Sequence, residues 1–130
     1  MRFIQLILLF IVLNGNLLSQ CQLKNNTFIG GEKLKYSVYY NLQFIWLEIA
    51  DVEFTTSYIN YQGITCLKLS STWKTRPKYN WIMHVDDKFE TILEKDNIIP
   101  YEHYQKIIEG KNKSEIKYLF DQQKSRIYLC

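Results

Sequence analysis

Between Gly31 and Phe54 the chain can be read in one way only as regular structure. Leu34, Tyr36, Val38 and Tyr40 recur at every second position, with Lys33, Lys35 and Ser37 between them. Successive strand side chains point to opposite faces, so this spacing gives an extended segment with one apolar and one polar face. A second apolar run begins after Asn41, and the two segments pair most simply as a β-hairpin. Within it the phase changes. Ile45, Leu47 and Ile49 are apolar at odd positions, then Ala50, Val52 and Phe54 at even ones, with Asp51 and Glu53 between. An extra residue near Ile49-Ala50 would place both sets on the same face; burial of both faces in the first half would give the same pattern, but a β-bulge also bends the sheet and is the expected cause.

The rest of the chain continues in short strand-like segments. Ile64–Trp73 alternates, with Thr65, Leu67, Leu69 and Ser71 on one face and Ile64, Cys66 and Lys68 on the other. Tyr79–Val85 alternates too, through Tyr79, Trp81, Met83 and Val85. Phe89–Leu93, Tyr101–Ile108 and Ser114–Phe120 follow. Turn signals separate them: Tyr58–Gly63 with its closing glycine, the loop around Pro77, Asp86-Asp87-Lys88, Glu94–Asn97 and Glu109-Gly110-Lys111-Asn112. Ile98-Ile99-Pro100 reads as an extended connector, because a residue before proline is pushed out of the helical region. Phe28 and Ile29 are expected to tuck against the start of the sheet. Arg126–Leu129 begins another strand near the last residue, which suggests a piece of a longer domain. Beyond the leader, no apolar 3.6-residue period is sustained over the length of a helix. The expected fold is all-β: a single curved antiparallel sheet of about seven to eight strands, resembling a half-open barrel.

The leader is different. Met1-Arg2 opens it, Ile4–Leu13 is apolar except for Gln5, and Asn14-Gly15-Asn16 breaks the run before Ser19. This is the pattern of a signal-peptide helix over residues 1–19. The alternative is a buried or membrane-spanning helix, but the apolar run is shorter than the ~20 residues a bilayer requires. Leu18-Ser19-Gln20-Cys21 also resembles a lipobox, with Gln20 where a small residue is usual. Lipidation of Cys21 would make the mature protein anchored rather than free. Export, to the periplasm or outer-membrane surface of a Gram-negative bacterium, is the expected location.

Losing Arg2 with the leader leaves 15 basic against 13 acidic residues. That balance is mild, and no block of like charges appears, so nucleic acid is not an expected partner. The loop with Lys74, Arg76 and Lys78, flanked by Trp73, Tyr79 and Trp81, reads as a solvated loop or a contact to lipid headgroups or glycan. Three cysteines, Cys21, Cys66 and Cys130, are too few and too far apart for a disulfide framework or metal site. Asn25-Asn26-Thr27 and Asn112-Lys113-Ser114 match glycosylation sequons, which matter only in a eukaryotic secretory pathway.

Catalytic chemistry has little local support. His84 and His103 are the only histidines. His84 stands near Asp86, which suits a surface histidine beside a turn carboxylate better than an acid-base pair. Cys66 sits mid-strand, where a small buried residue is the ordinary reading. Asp86, Asp87 and Glu90 read as a solvated acidic turn. There is no phosphate-cradling glycine loop and no nucleophile elbow, and no cofactor is implied. The remaining candidates are aromatic. Tyr36, Tyr40, Trp46, Phe54 and Trp81 are the residues expected to line an apolar ligand face, should the curved sheet enclose a cavity.

The run Gly31-Glu32-Lys33-Leu34-Lys35-Tyr36-Ser37-Val38-Tyr39-Tyr40, followed by Ile45-Trp46, Ala50 and Phe54, resembles the opening of the DUF3108 family of exported bacterial proteins. That pattern runs Gly-Glu-x-Leu-x-Tyr-x-Val-x-Tyr. Val85-Asp86, Pro100 and Glu109-Gly110 are similar in order and spacing, and Ala50 stands where the family usually has glycine. The resemblance implies an all-β domain over residues 28–130, shortened at its C-terminus, with no established enzymatic activity. It is similar in outline to half-open barrels that carry lipoproteins across the periplasm. The function it suggests is a non-enzymatic envelope module binding a lipid or other apolar ligand; the alternative is an assembly protein that contacts other envelope proteins through its sheet edge.

Overall fold

A computed structural model describes residues 23–130. The expected signal segment, residues 1–19, and Cys21 lie outside the described residues. The chain forms seven strands: β1 (Lys33–Leu42), β2 (Ile45–Tyr61), β3 (Ile64–Thr75), β4 (Asp86–Glu94), β5 (Pro100–Glu109), β6 (Asn112–Asp121) and β7 (Arg126–Leu129). They make one open antiparallel sheet in the order β1-β2-β3-β4-β5-β6-β7, each strand paired with its chain neighbour. This is the all-β, single-sheet architecture expected. Among the described residues, β1 and β7 are its edges.

The register settles the faces. Leu34 opposes Phe54, Tyr36 opposes Val52 and Val38 opposes Ala50. Tyr39 then opposes Glu48, so Ile49 is the extra residue of a bulge. The bulge lies where the phase change placed it, and it keeps Leu47 and Ile45 on the face of Val52 and Phe54. Followed through the remaining ladders, that face carries Leu67, Leu69, Trp73, Phe89, Leu93, Ile116, Tyr118 and Phe120. The opposite face is charged. Lys33 and Lys35 pair with Glu53, Lys68 and Lys88 with Glu90, and Lys117 with Glu102. These cross-strand pairs are solvent-accessible, so they contribute little net stability and chiefly fix register.

Several turns are tighter than the sequence suggests. β2 runs on to Tyr61 and turns on Gln62-Gly63, both with positive φ. That is the turn whose twist matches a hairpin. Ile98 is left-handed at φ 55° rather than extended, because the Glu94 amide donates to Ile99 O and the Ile98 amide to Glu94 O. A second register shift, between Ile92 and Leu93, leaves Tyr101 as an extra residue in β5.

One expected strand is absent. Tyr79–Val85 does not join the sheet. Pro77–Tyr79 is a 3₁₀ turn with proline at its start, and the Ile82 and Met83 amides donate back to Tyr79 O. Local hydrogen bonds thus use the groups a strand would need for a neighbour, and proline has no amide to offer a ladder. Only Val85 makes an isolated bridge, to Glu109. β4 begins directly at Asp86, so the pair Asp86-Asp87 lies in a strand instead of a turn.

The segment before β1 crosses the apolar face as a strap. Asn25 anchors one end. Its amide donates to Asp96 O, its side-chain amide to Phe28 O and Lys95 O, and its side-chain oxygen accepts from the Thr27 and Phe28 amides. The other end is tied to β2, where the Gly31 amide donates to Thr56 O, the Glu32 amide to Thr56 Oγ1, and the Thr56 hydroxyl to Ile29 O. Gly30 lies flat on the Tyr58 ring; a Cβ there would stand 2.4 Å from a ring carbon. Phe28 is half-buried under the strap while Ile29 points to solvent. Leu67 and Leu93, fully or almost fully buried, form the core of this face with Val52, while Cys66 is buried on the opposite face.

Candidate ligand-binding face

The apolar face is completed over only part of its area. Beside the strap it opens into a cleft of about 470 Å³ lined by Phe28, Leu34, Tyr36, Phe54 and Leu69, with Thr27, Glu32 and Thr56 at the rim. Alternation in β1 and β2 puts Leu34, Tyr36 and Phe54 side by side. Tyr36 meets Phe54 edge-on, with ring centroids 5.9 Å apart, and Phe54 meets Trp73 in the same way at 6.4 Å. Edge-to-face pairs of this kind lock ring orientation. The row gives a rigid aromatic floor with polar groups at one margin, the general form of a small-molecule site.

The five aromatics singled out in the sequence are not brought together. Tyr36 and Phe54 line the cleft, and Tyr40 lies further along the same face. Trp46 lies on the charged face opposite Asn41, because the bulge at Ile49 reverses the parity of everything before it. Trp81 lies in the loop after the 3₁₀ turn, 82% exposed and off the sheet. Phe28 tucks against the sheet as expected, but its place in the cleft had no signal, since a lead-in without periodicity gives no sign of crossing a face. Leu34 and Leu69 carried the right alternation but were not singled out.

The basic loop is largely neutralised. Arg76 sits at the bulge: its amide donates to Ile49 O, and its guanidinium donates to both carboxylate oxygens of Glu48 at 2.6 Å and to Asp51 at 2.8 and 3.0 Å. Asp51 is held below the usual carboxylate range by Arg76, and Glu48 by the Ser37 hydroxyl and then by Arg76. Arg76 is thus a clamp on the bulge. Lys74 pairs with Asp86 at 3.4 Å, and the Lys78 ammonium lies 4.8 Å from the Tyr79 ring centroid.

The groups weighed for chemistry are dispersed. His103 is on the apolar face, its Nδ1 2.8 Å from Thr91 Oγ1 and its ring against Tyr118. Cys66 is on the other face, fully buried, and burial pushes its thiol pKa up, away from the nucleophilic thiolate. His84 is in the loop, where its carbonyl accepts from the Gly110 amide. Asp87, expected in a solvated turn, is buried and accepts from the Ile108 amide at 2.9 Å. No group of three metal-ligating side chains occurs among the described residues.

An open seven-stranded antiparallel meander with one apolar and one charged face defines a sheet-based β protein. The chain belongs to the DUF3108 family of proteins of unknown function, whose model matches residues 35–129. No curated protein and no solved structure matches the chain.

Proposed function

We propose that this is a non-enzymatic, exported envelope protein whose apolar face holds an acyl chain or another elongated apolar ligand. The observation that carries the reading is the cleft beside the strap, in which Tyr36, Phe54 and Leu69 stay accessible although each belongs to the face that forms the core. A ligand there would bury aromatic surface now in contact with water, at roughly 25 cal/mol per Å². The leader pattern of residues 1–19 supports export. The test is displacement of a fluorescent fatty acid from the purified protein. Saturable, stoichiometric displacement that Phe54→Asp weakens at least tenfold supports the reading. No displacement rejects it.

A second reading rests on β1. It is an edge strand of ten residues whose outer hydrogen-bonding groups have no neighbouring strand among the described residues. A partner strand from another envelope protein could pair there by β-augmentation. Lys35→Pro, which removes an outward-facing edge donor, would then abolish partner capture while leaving fatty-acid displacement unchanged.

A further inference from the structure

The two apolar segments that the sheet does not use both lie at one end of it. In an antiparallel meander the β1–β2 turn and the β3–β4 connection fall at the same end. The first is the tip of a hairpin that overshoots its neighbour. The β2–β3 ladder stops at Ala50–Thr75, so Ile45–Ile49 of β2 extends past β3. At ~3.3 Å per residue this projects the tip by about 16 Å. Leu42 and Ile45 are exposed on one face of the tip and Trp46 on the other, while Phe44 in the turn is 96% exposed. The second segment is the loop after the 3₁₀ turn, where Trp81, Ile82 and Met83 are all exposed.

Charge separates this end from the rest of the molecule. No Asp, Glu, Lys or Arg occurs from Tyr36 to Leu47 or from Tyr79 to Val85. Lys78 and Lys111 flank these segments, and neither makes an ion pair among the described residues. Lys111 is in the β5–β6 turn, which the Gly110–His84 hydrogen bond ties to the Trp81 loop. A rigid protein partner offers one surface and would match one face of a hairpin. A tip apolar on both faces suits a medium that closes round it. Tryptophan, tyrosine and phenylalanine settle at the boundary of hydrocarbon and headgroups, and lysines beside them attract anionic lipid.

The geometry points to this end of the sheet as a membrane-docking edge: the Leu42–Trp46 tip and the Trp81–Met83 loop enter the interface of an anionic bilayer, with Lys78 and Lys111 at headgroup level. The inference stands apart from ligand binding in the cleft. Displacement measured without vesicles can fail while docking holds, and the reverse.

The test uses the full chain with Trp73→Phe, so that Trp46 and Trp81 alone report, and vesicles of three parts phosphatidylcholine to one part phosphatidylglycerol. Brominated lipids should quench both tryptophans at least twofold, with a blue shift in emission. Phe44→Asp combined with Ile82→Asp should weaken vesicle partitioning at least tenfold. The chain's own apolar leader is also able to bind vesicles, and binding that leaves Trp46 and Trp81 unquenched would assign it to the leader and overturn the proposal. A blue shift that follows protein concentration and occurs without vesicles would show a second copy as the occupant and would overturn it equally.

Discussion

Two regions of one face carry the same alternation and end in opposite states. Under the strap, Leu67 and Leu93 are buried to 0% and 5% exposure. Toward β1 and the overshooting hairpin, Tyr36, Tyr40 and Leu42 each remain 54% exposed. The sheet is continuous between them and the side chains are equally apolar. What differs is the covering segment: Asn25 to Gly31 passes over the first region and nothing among the described residues passes over the second. Apolar patterning decides which way a side chain points, but burial needs a second layer, and a single sheet has none of its own.

The sharpest way to break this comparison is to truncate one residue on each side. Leu67→Ala should cost about 2–5 kcal/mol in urea denaturation, the range for a fully enclosed leucine whose surroundings cannot collapse. Tyr40→Ala should change stability by no more than about 0.5 kcal/mol, as for a surface position. Equal losses at both sites would mean that the open half is covered in solution, by ligand or by another molecule.

The strap can be tested next. Asn25 satisfies four backbone groups and joins the strap to the β4–β5 turn. Asn25→Ala leaves Lys95 O and the Thr27 and Phe28 amides without these partners, and should cost about 1–2 kcal/mol. Amide exchange at Gly31 and in the centre of β3 should quicken. If β3 exchange is unchanged, the strap is not what closes the core. A smaller gain is expected in the turn that receives it. Ile98 is β-branched at φ 55°, a conformation costing ordinary residues about 1–2 kcal/mol and asparagine less. Ile98→Asn should raise stability by roughly 0.5–1 kcal/mol in thermal denaturation. A loss would show that the half-buried isoleucine side chain contributes more than its backbone costs.

How much of this was legible in the sequence follows from what each signal measures. Two-residue alternation reports side-chain direction, so the sheet, its apolar face and the bulge at Ile49 could all be read. The same bulge decides Trp46: once Ile49 is the extra residue, odd positions before it share the face of even positions after it, and the even-numbered Trp46 must turn away. Trp81 was misplaced for another reason. Tyr79, Trp81, Met83 and Val85 alternate as a strand would, but alternation says nothing about whether a partner lies alongside. The proline two residues before Tyr79 starts a turn whose hydrogen bonds close locally. The strap lacks periodicity altogether, and its role depends on one asparagine and on Gly30 fitting against Tyr58, both long-range facts. The family pattern extended the reading to most of the chain without locating a site, since its residues shape the strands.

The smallest effect concerns the bulge itself, in the open region. Arg76→Ala removes the guanidinium that joins Glu48 to Asp51 across Ile49-Ala50. These side chains are accessible and the pairing is screened, so the loss at neutral pH should be smaller than any given above. Its pH dependence carries the information. In the folded protein both carboxyls titrate below their ordinary range, so their contribution is fully present above the unfolded value of about 4 and is lost as pH falls through the folded values. The difference between wild type and Arg76→Ala should therefore be constant from about pH 7 to 5 and shrink below about pH 4. It should also shrink in about 1 M salt, where charges are screened within ~3 Å. A difference that persists under both conditions would assign the role of Arg76 to its backbone and packing. The bulge would then be held by the amide bond to Ile49 O, and the open face would keep its shape with the carboxylates protonated.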